Sequence, residues 1–155
     1  SVLHLSSTKI GIVMSIYILL TGILQRPFGK LADHWNRVGM VICGSLLSIC
    51  AICLFPLTGN LVQVIVLSLF MALGGGISIP AMTAITVQHG KAMGYGMGML
   101  MGMFYLSVAI GLATGPVLNG VIFDRLGFEA PFFFGGAILF AGTTIFLFFL
   151  KNEKM

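Results

Sequence analysis

The sequence predicts an all-α integral membrane protein with five transmembrane helices, and composition and charge distribution carry this prediction. Of the 155 residues, 58% are hydrophobic and only 8% are charged, whereas roughly a quarter of the residues in a soluble domain are charged. Residues 38–90, 92–123 and 130–150 contain no Asp, Glu, Lys or Arg, and a membrane-spanning helix needs about 20 apolar residues. The sequence does not alternate as barrel strands do, which favours helices.

Turn signals divide the uncharged stretches into five predicted spans. These cover approximately residues 8–28, 38–55, 61–87, 93–122 and 131–150. Lys9 and Arg26 can extend from the first span to the two membrane surfaces, and the segment PLTGN at 56–60 predicts a turn after the second span. The segment GGGISIP at 74–80 interrupts the middle of the third span.

The basic residues predict how the spans are oriented. The net charge is +4, but the charges are dispersed, which argues against a nucleic-acid partner. Alternating connections leave only Lys9 and Arg125 on one face, and the positive-inside rule makes the other face cytoplasmic. The residues on that face are Arg26, Lys30, Arg37, Lys91, Lys151 and Lys154. We therefore expect the first residue to face outward and the C-terminus to be cytoplasmic, and we expect the membrane to be a prokaryotic inner membrane. An outward-facing start, together with Ser1 as the first residue, predicts a fragment that lacks a preceding helix.

The cysteines and hydroxyl residues give no sign of a metal site or an enzyme. Cys43, Cys50 and Cys53 all lie in the second span, where a zinc site would need further ligands nearby, so small packing residues are the better interpretation. No span carries a His or carboxylate that could activate Ser107 or Cys50. The sequence therefore predicts no metal, no cofactor and no enzymatic activity.

The segment GKLADHWNR, at 29–37, concentrates charge between the first two spans. Its Gly29, Asp33 and Arg37 fit the loop signature GxxxD(R/K)xGR(R/K), so the chain resembles the major facilitator superfamily. The departures from that signature are His34, Asn36 and Val38.

This resemblance implies a gating loop. In the family the aspartate pairs across the cytoplasmic ends of neighbouring helices, as a latch that opens when the two halves rock. Asp33 is then the latch acid, Arg37 and Lys30 are its basic partners, and Gly29 allows close approach. Charged residues cost about 2.5–3.5 kcal/mol at a helix centre, so a solvated loop that merely obeys the orientation rule is the alternative interpretation.

The charged segment has an echo that predicts an inverted repeat. Gly29 and Asp33 recur 91 residues later as Gly120 and Asp124. Three spans separate the two segments, so they should lie on opposite membrane faces, as in transporters built from inverted three-helix repeats. The echo GVIFDRLG, at 120–127, contributes Gly120, Asp124, Arg125 and Gly127.

The fourth span contains GLATGPVLNG, at 111–120, which resembles the family's glycine-proline element GxxxGPxxGG with Asn119 in place of a glycine. Gly111 and Gly115 share a helix face and predict close helix packing, while Pro116 removes a backbone donor and bends the span. The third span lacks the arginine usual in the family's fourth helix. The resemblance therefore favours the C-terminal half of the transporter, helices eight to twelve, of a six-helix half built on inverted repeats.

The function that follows is secondary active transport of a small molecule by alternating access, with proton-linked drug or metabolite export, as an antiporter, implied by the resemblance. Its partners would be the substrate, the lipid bilayer and the missing half of the transporter. Polar residues within apolar spans are the candidates for the substrate cavity: Tyr17, Thr21, Gln25, Ser78, Thr83 and Tyr105. The alternative is a non-transporting helical subunit, in which the glycines serve only helix association.

Overall fold

The computed structural model describes residues 7–152, with side chains from 8 to 149, and these residues form five long α-helices. The helices are α1 (Ser7–His34), α2 (Arg37–Leu54), α3 (Leu61–Ala92), α4 (Met97–Leu126) and α5 (Ala130–Asn152), with a short 3-10 turn at Phe55–Leu57 after α2. All five are long and apolar enough to cross a membrane. The predicted all-α membrane fold is confirmed. Lys154, which the charge pattern assigns to the cytoplasmic face, lies outside the described residues.

The helices continue beyond the predicted spans. α1 runs through the charged segment to His34, so Gly29, Lys30 and Asp33 lie on its last turns and not in a loop as predicted. Hydropathy marks where a helix leaves hydrocarbon, and Lys, Leu and Ala are good helix formers that extend it past that point. α4 begins at Met97, four residues later than predicted, because Gly94 adopts a positive φ of 80° just before it.

The predicted interruption at 74–80 does not break α3. The helix is continuous through the glycines and Pro80, since neighbouring helices can support backbone groups freed by Pro or Gly. The glycines instead allow close contact with α2. A Cβ added to Gly74 would lie 2.6 Å from the carbonyl oxygen of Gly44, and one added to Gly44 would lie 2.6 Å from that of Gly74. Each site is also closed by a serine from the facing helix, Ser48 or Ser78.

α3 is the centre of the bundle, packed against α1 on one side and α2 on the other. A buried hydrophobic cluster joins these three helices near the end that carries Asp33. It consists of Ala32, Met40, Val41, Ala81 and Ile85, with Phe28 and Phe146 packed against it. This cluster holds the end of α1, the start of α2 and the end of α3 in fixed relation.

α4 is much less embedded than these three helices. Its single buried residue is Leu100, 5% exposed, which lies against Gly90 of α3 so closely that a Cβ there would overlap it. α5 rests on α2, where Gly136 lies beside Cys53. Most of α4 therefore presents its surface away from the described part of the chain.

Asp33 and Asp124 lie at opposite ends of the bundle. Asp33 is beside the start of α2, whereas Phe55, just beyond the end of α2, stacks on Phe132 at a centroid distance of 5.7 Å. Phe132 contacts Phe128 at 5.4 Å, and Phe128 contacts Phe123 at 6.4 Å, next to Asp124. We refer to the two ends as the Asp33 end and the Phe55 end.

Candidate functional site

The turn between α1 and α2 consists of only Trp35 and Asn36. Asn36 caps α2, because its side-chain oxygen accepts a hydrogen bond from the backbone N–H of Gly39 at 3.3 Å. Trp35 is 67% exposed, a placement typical of an aromatic side chain at a membrane surface. The capped, two-residue turn places Asp33 and Arg37 on either side of one sharp reversal.

Arg37 connects three helix ends. Its Nε donates to the carbonyl oxygen of Ala32 at 2.9 Å, and its Nη1 donates to Oε1 of Gln88 at 2.5 Å. The carbonyl of Ala32 belongs to the last turn of α1, where carbonyls lack helical partners and a cation is favoured by the helix dipole. Arg37, at the first position of α2, thus links the end of α1 to the end of α3.

The predicted latch partners are close in the chain but not paired. Across residues 8–149, whose side chains the structure describes, Asp33 forms no ion pair with Lys30 or Arg37. Asp33 and Lys30 are exposed, while Arg37 is half-buried and bound to Ala32 and Gln88. The charged segment therefore places its acid towards open space and its arginine inward.

An open groove of about 660 Å³ lies beside this turn, between α1, α3 and α4. Three predicted cavity residues line it, Gln25, Thr83 and Tyr105, together with three predicted gate residues. The full lining is Gln25, Gly29, Asp33, Arg37, Ile79, Pro80, Thr83, Ala84, Val87, Phe104 and Tyr105. We call it the gate groove, because it brings the candidate gate and part of the candidate cavity into one space.

The gate groove combines aromatic and polar surfaces. Tyr105, 66% exposed, forms an edge contact with Phe104 at a centroid distance of 5.7 Å. Thr83 donates its hydroxyl proton to the carbonyl of Ile79 at 2.9 Å, so its oxygen remains able to accept a hydrogen bond. The groove thus offers ring surface and hydrogen-bonding groups to a small molecule, and it brings these groups into one space with Asp33.

The other predicted cavity residues lie elsewhere. Neither Tyr17 nor Thr21 lines the gate groove. Thr21 is only 8% exposed, and its hydroxyl donates to the carbonyl oxygen of Tyr17 at 2.7 Å. Ser78 donates to the carbonyl oxygen of Gly74 at 2.8 Å and closes the contact between α2 and α3. Equal spacing put Tyr17, Thr21 and Gln25 on one helix face, but the groove covers only the Asp33 end of that face.

A second cavity of about 820 Å³ opens at the surface of the Asp33 end. Asp33 and Arg37 line this cavity as well as the gate groove, and Gln88 and His89 of α3 contribute to it. The sequence patterns do not single out Gln88 and Phe104 as site residues. Gln88 carried the signal of a polar side chain beside the end of an apolar span, but nothing in the sequence pairs it with Arg37.

The inverted-repeat segment ends α4 at the Phe55 end. Gly127 has a φ of 88°, and its N–H bonds to the carbonyl of Phe123 at 3.0 Å, which terminates the helix in a glycine-dependent cap. Asp124 and Arg125 are exposed and, among the described side chains, form no ion pair with one another. Gly120 lies one turn before them in open surroundings.

The predicted packing glycines of α4 contact nothing within the described chain. A Cβ added to Gly111 or Gly115 would have no atom within 4 Å outside its own helix. Pro116 lies inside α4, which remains one helix from Met97 to Leu126. The close glycine contact of this bundle is formed by Gly44 and Gly74 instead.

Comparison with known proteins gives the chain its family. The family model of the Major Facilitator Superfamily matches residues 1–155. "MFS-type transporter SLC18B1" of Mus musculus is 28% identical over 154 residues, covering 95% of this chain and 33% of the mouse protein. "Multidrug resistance protein MdtG" of Dickeya zeae is 27% identical over 145 residues, and that of Proteus mirabilis 28% over 144 residues, each covering 92% of this chain.

These two bacterial matches cover 34% and 35% of the bacterial proteins, so the chain spans about a third of the length of the curated relatives it matches. No solved structure matches it. The mouse relative is named a transporter and the family model is that of a transporter family, in agreement with the prediction that the chain is not an enzyme. Since five membrane-length helices and a family model that covers all 155 residues agree, the chain belongs to the Major Facilitator Superfamily of membrane transporters.

Proposed function

We propose that this chain is part of a secondary transporter that moves a small molecule across the membrane by alternating access. The observation that carries the proposal is the gate groove, in which Gln25, Thr83 and Tyr105 share one space with Asp33 and Arg37. A substrate in this groove would lie beside Arg37, which links the ends of α1 and α3. Rocking of the helices would then change the groove and the gate together.

In this proposal the uncovered face of α4 packs against the rest of the transporter. Gly111 and Gly115 are free of contacts within the described chain, and small residues allow another helix backbone to approach. The match to about a third of the relatives' length supports a further portion of the protein beyond this chain. We assign the chain to the C-terminal half, with helices eight to twelve as α1 to α5.

We further propose proton-linked export of lipophilic compounds across a prokaryotic inner membrane. The bacterial relatives are named multidrug resistance proteins, and the ring surface of Phe104 and Tyr105 suits apolar substrates. The carboxylates of the described residues, Asp33, Asp124 and Glu129, lie at or beside helix ends, so we place the intramembrane carboxylate of a proton-coupled cycle in the rest of the transporter. The Asp33 end would face the cytoplasm.

The test is transport by the complete protein in cells that lack their major exporters. We expect expression of the unaltered protein to lower the accumulation of at least one lipophilic dye or drug. Asp33→Asn should slow export about tenfold, equivalent to about 1.4 kcal/mol on the barrier, while substrate binding to the purified protein stays within twofold.

The matched control is Glu129→Gln, which removes a carboxylate from the exposed connection between α4 and α5 and should leave export unchanged. Equal loss of binding and transport in Asp33→Asn would refute the gating role. No change in accumulation for any compound of a broad panel would favour the non-transporting subunit.

A further inference from the structure

A second groove lies between α2 and α3 near the Phe55 end, in the half of the bundle away from the gate groove. Two adjoining cavities of about 270 and 200 Å³ form it, and they share Leu54 and Leu67. One reaches Leu57 and Gln63, and the other reaches Leu47 and Phe70. We call this continuous depression the apolar groove.

The apolar groove exists because a small residue occupies its floor. Ala51 is 2% exposed, and the larger side chains of Leu47 and Leu54 flank it along α2. Further along the helices, towards the Asp33 end, Gly44 and Gly74 bring the two backbones together and close the gap. The groove is therefore open towards the Phe55 end and closed near the middle of the bundle.

The position and length of the groove point to its occupant. One side of it runs from Leu47 of α2 to Leu57 of the 3-10 turn that follows, a length of roughly 15 Å at about 1.5 Å per residue. Half of the hydrocarbon core of a bilayer is also about 15 Å thick. Since α2 and α3 are membrane-length helices, the groove extends through about one leaflet and is lined almost entirely by apolar side chains.

The outer end of the groove carries the polar group that a lipid requires. Oε1 of Gln63 accepts a hydrogen bond from the N–H of Gly59 at 2.8 Å, which fixes the amide at the groove mouth. The exposed amide nitrogen of Gln63 can then donate to an ester or phosphate oxygen. None of the residues that line the groove is charged, so the groove does not select an anionic headgroup.

We propose that the apolar groove holds one acyl chain of a membrane phospholipid, with the ester region of the lipid at Gln63. A helix from a partner protein could insert only its side chains, because a helical segment 15 Å long and 10 Å across occupies on the order of 1,000 Å³, more than twice the volume of the groove, whereas one extended acyl chain can lie along its whole length. Transfer from bulk lipid gains no hydrophobic free energy, so contacts on several sides hold the chain. The inference is independent of any transported substrate.

The test asks whether a phospholipid chain remains in the groove when the surrounding lipid is removed. The complete protein, in which Trp35 and every tryptophan outside this chain are replaced by Phe, receives one tryptophan reporter, either Val66→Trp or Val121→Trp. Val66 lines the groove and is 42% exposed, while Val121 lies on α4 and is 48% exposed. Each lies five residues from the end of its helix at the Phe55 end. Both variants are reconstituted in phosphatidylcholine vesicles with brominated acyl chains, which quench tryptophan fluorescence, and are then diluted into excess lipid-free detergent.

We expect the quenching retained at Val66→Trp after dilution to exceed that at Val121→Trp about fivefold, a difference of about 1 kcal/mol in binding. A second pair of variants, Cys50→Phe and Cys43→Phe, places the same bulk on two exposed cysteines of α2, of which only Cys50 lines the groove. Cys50→Phe should abolish the retained quenching and remove one bound phospholipid in native mass spectrometry. Cys43→Phe should change neither.

Loss of quenching at Val66→Trp to the same extent as at Val121→Trp would overturn the proposal, since the groove would then hold lipid no better than open surface. Absence of quenching at Val66→Trp in the intact vesicles would overturn it as well, because a protein segment would then cover the groove.

Discussion

Glycine serves different purposes on α3 and α4, although both helices carry it at helical spacing. On α3, Gly74 lies in backbone contact with Gly44 of α2, and Ser48 and Ser78 close the contact on either side. On α4, Gly111 and Gly115 have no neighbour within the described chain. The same small residue thus builds the packed unit of α1, α2 and α3 in one region and leaves an uncovered surface in the other.

The difference teaches that a small-residue motif indicates close approach without naming the partner. The two regions also differ in how the functional residues are held. Arg37 is fixed by contacts to α1 and α3, whereas Tyr105 projects from α4, which is held to α3 mainly where Leu100 meets Gly90. Of the three helices that form the gate groove, α1 and α3 are therefore firmly held, and α4 is loosely held.

The largest expected effect tests the packed region. Gly74→Ala adds a Cβ within 2.6 Å of the carbonyl oxygen of Gly44, and such overpacking costs about 1–3 kcal/mol. We expect a loss near the upper end of that range, about 3 kcal/mol, in denaturant unfolding of the purified complete protein.

The adjacent glycine is a matched control for this variant. Gly75→Ala would place its Cβ 3.5 Å from Cγ2 of Thr21, an ordinary contact, and should change the unfolding free energy by less than about 0.5 kcal/mol. Equal effects of the two substitutions would contradict the close contact between α2 and α3.

The next effect concerns the link between the helix ends. Arg37→Met removes two hydrogen bonds and leaves the carbonyl of Ala32 without its donor, which should cost about 2 kcal/mol in unfolding free energy. Arg37→Lys should recover only part of the loss, because an ammonium group cannot reproduce the planar geometry of the guanidinium. Full recovery by lysine would show that charge alone matters at this position.

A smaller loss is expected at the other end of the same link. Gln88→Ala removes the hydrogen bond to Nη1 of Arg37 but leaves the bond from Nε to Ala32, so unfolding should become easier by about 1 kcal/mol. In the Arg37→Met background the Gln88→Ala change should add little, since the two residues act as a pair. Additive losses in the double variant would refute the link.

The smallest effect sharpens the comparison on the α4 side. Gly115→Ala has space for its methyl group within the described chain, and alanine is the better helix former. In the complete protein this gain should be outweighed by overpacking against the helix that we propose approaches this face, so we expect a net loss of about 0.5 kcal/mol in unfolding free energy. A gain in stability would show instead that no helix of the transporter contacts this face closely.

The number and type of helices could be predicted because the charge-free stretches, the longest of them divided by the turn signal at 56–60, give segments long enough to span a membrane. Their ends could not, since hydropathy reports the edge of hydrocarbon and α1 continues to His34 beyond it. Polar residues isolated in apolar spans led to Gln25, Thr83 and Tyr105, which do share the gate groove. Spacing along one helix does not say which neighbour covers each face. The sequence therefore predicts Ser78 to line a cavity, although it lies between α2 and α3.

Contacts between residues far apart in the chain could not be predicted from the sequence. Arg37 and Gln88 are 51 residues apart in the chain, and only the packing of α2 on α3 brings them together. Phe104 was also missed, because an aromatic residue in an apolar span carries no signal that separates a groove wall from a lipid-facing surface.

The brevity of the turn formed by Trp35 and Asn36 limits how this molecule can move. Two residues span at most about 7 Å when fully extended, so the end of α1 and the start of α2 have no slack between them. A displacement of the end of α1 must therefore carry the start of α2 with it, and α2 in turn packs against α3 and α5. A movement that begins at the Asp33 end of α1 thus reaches α2 first and can pass from it to α3 and α5.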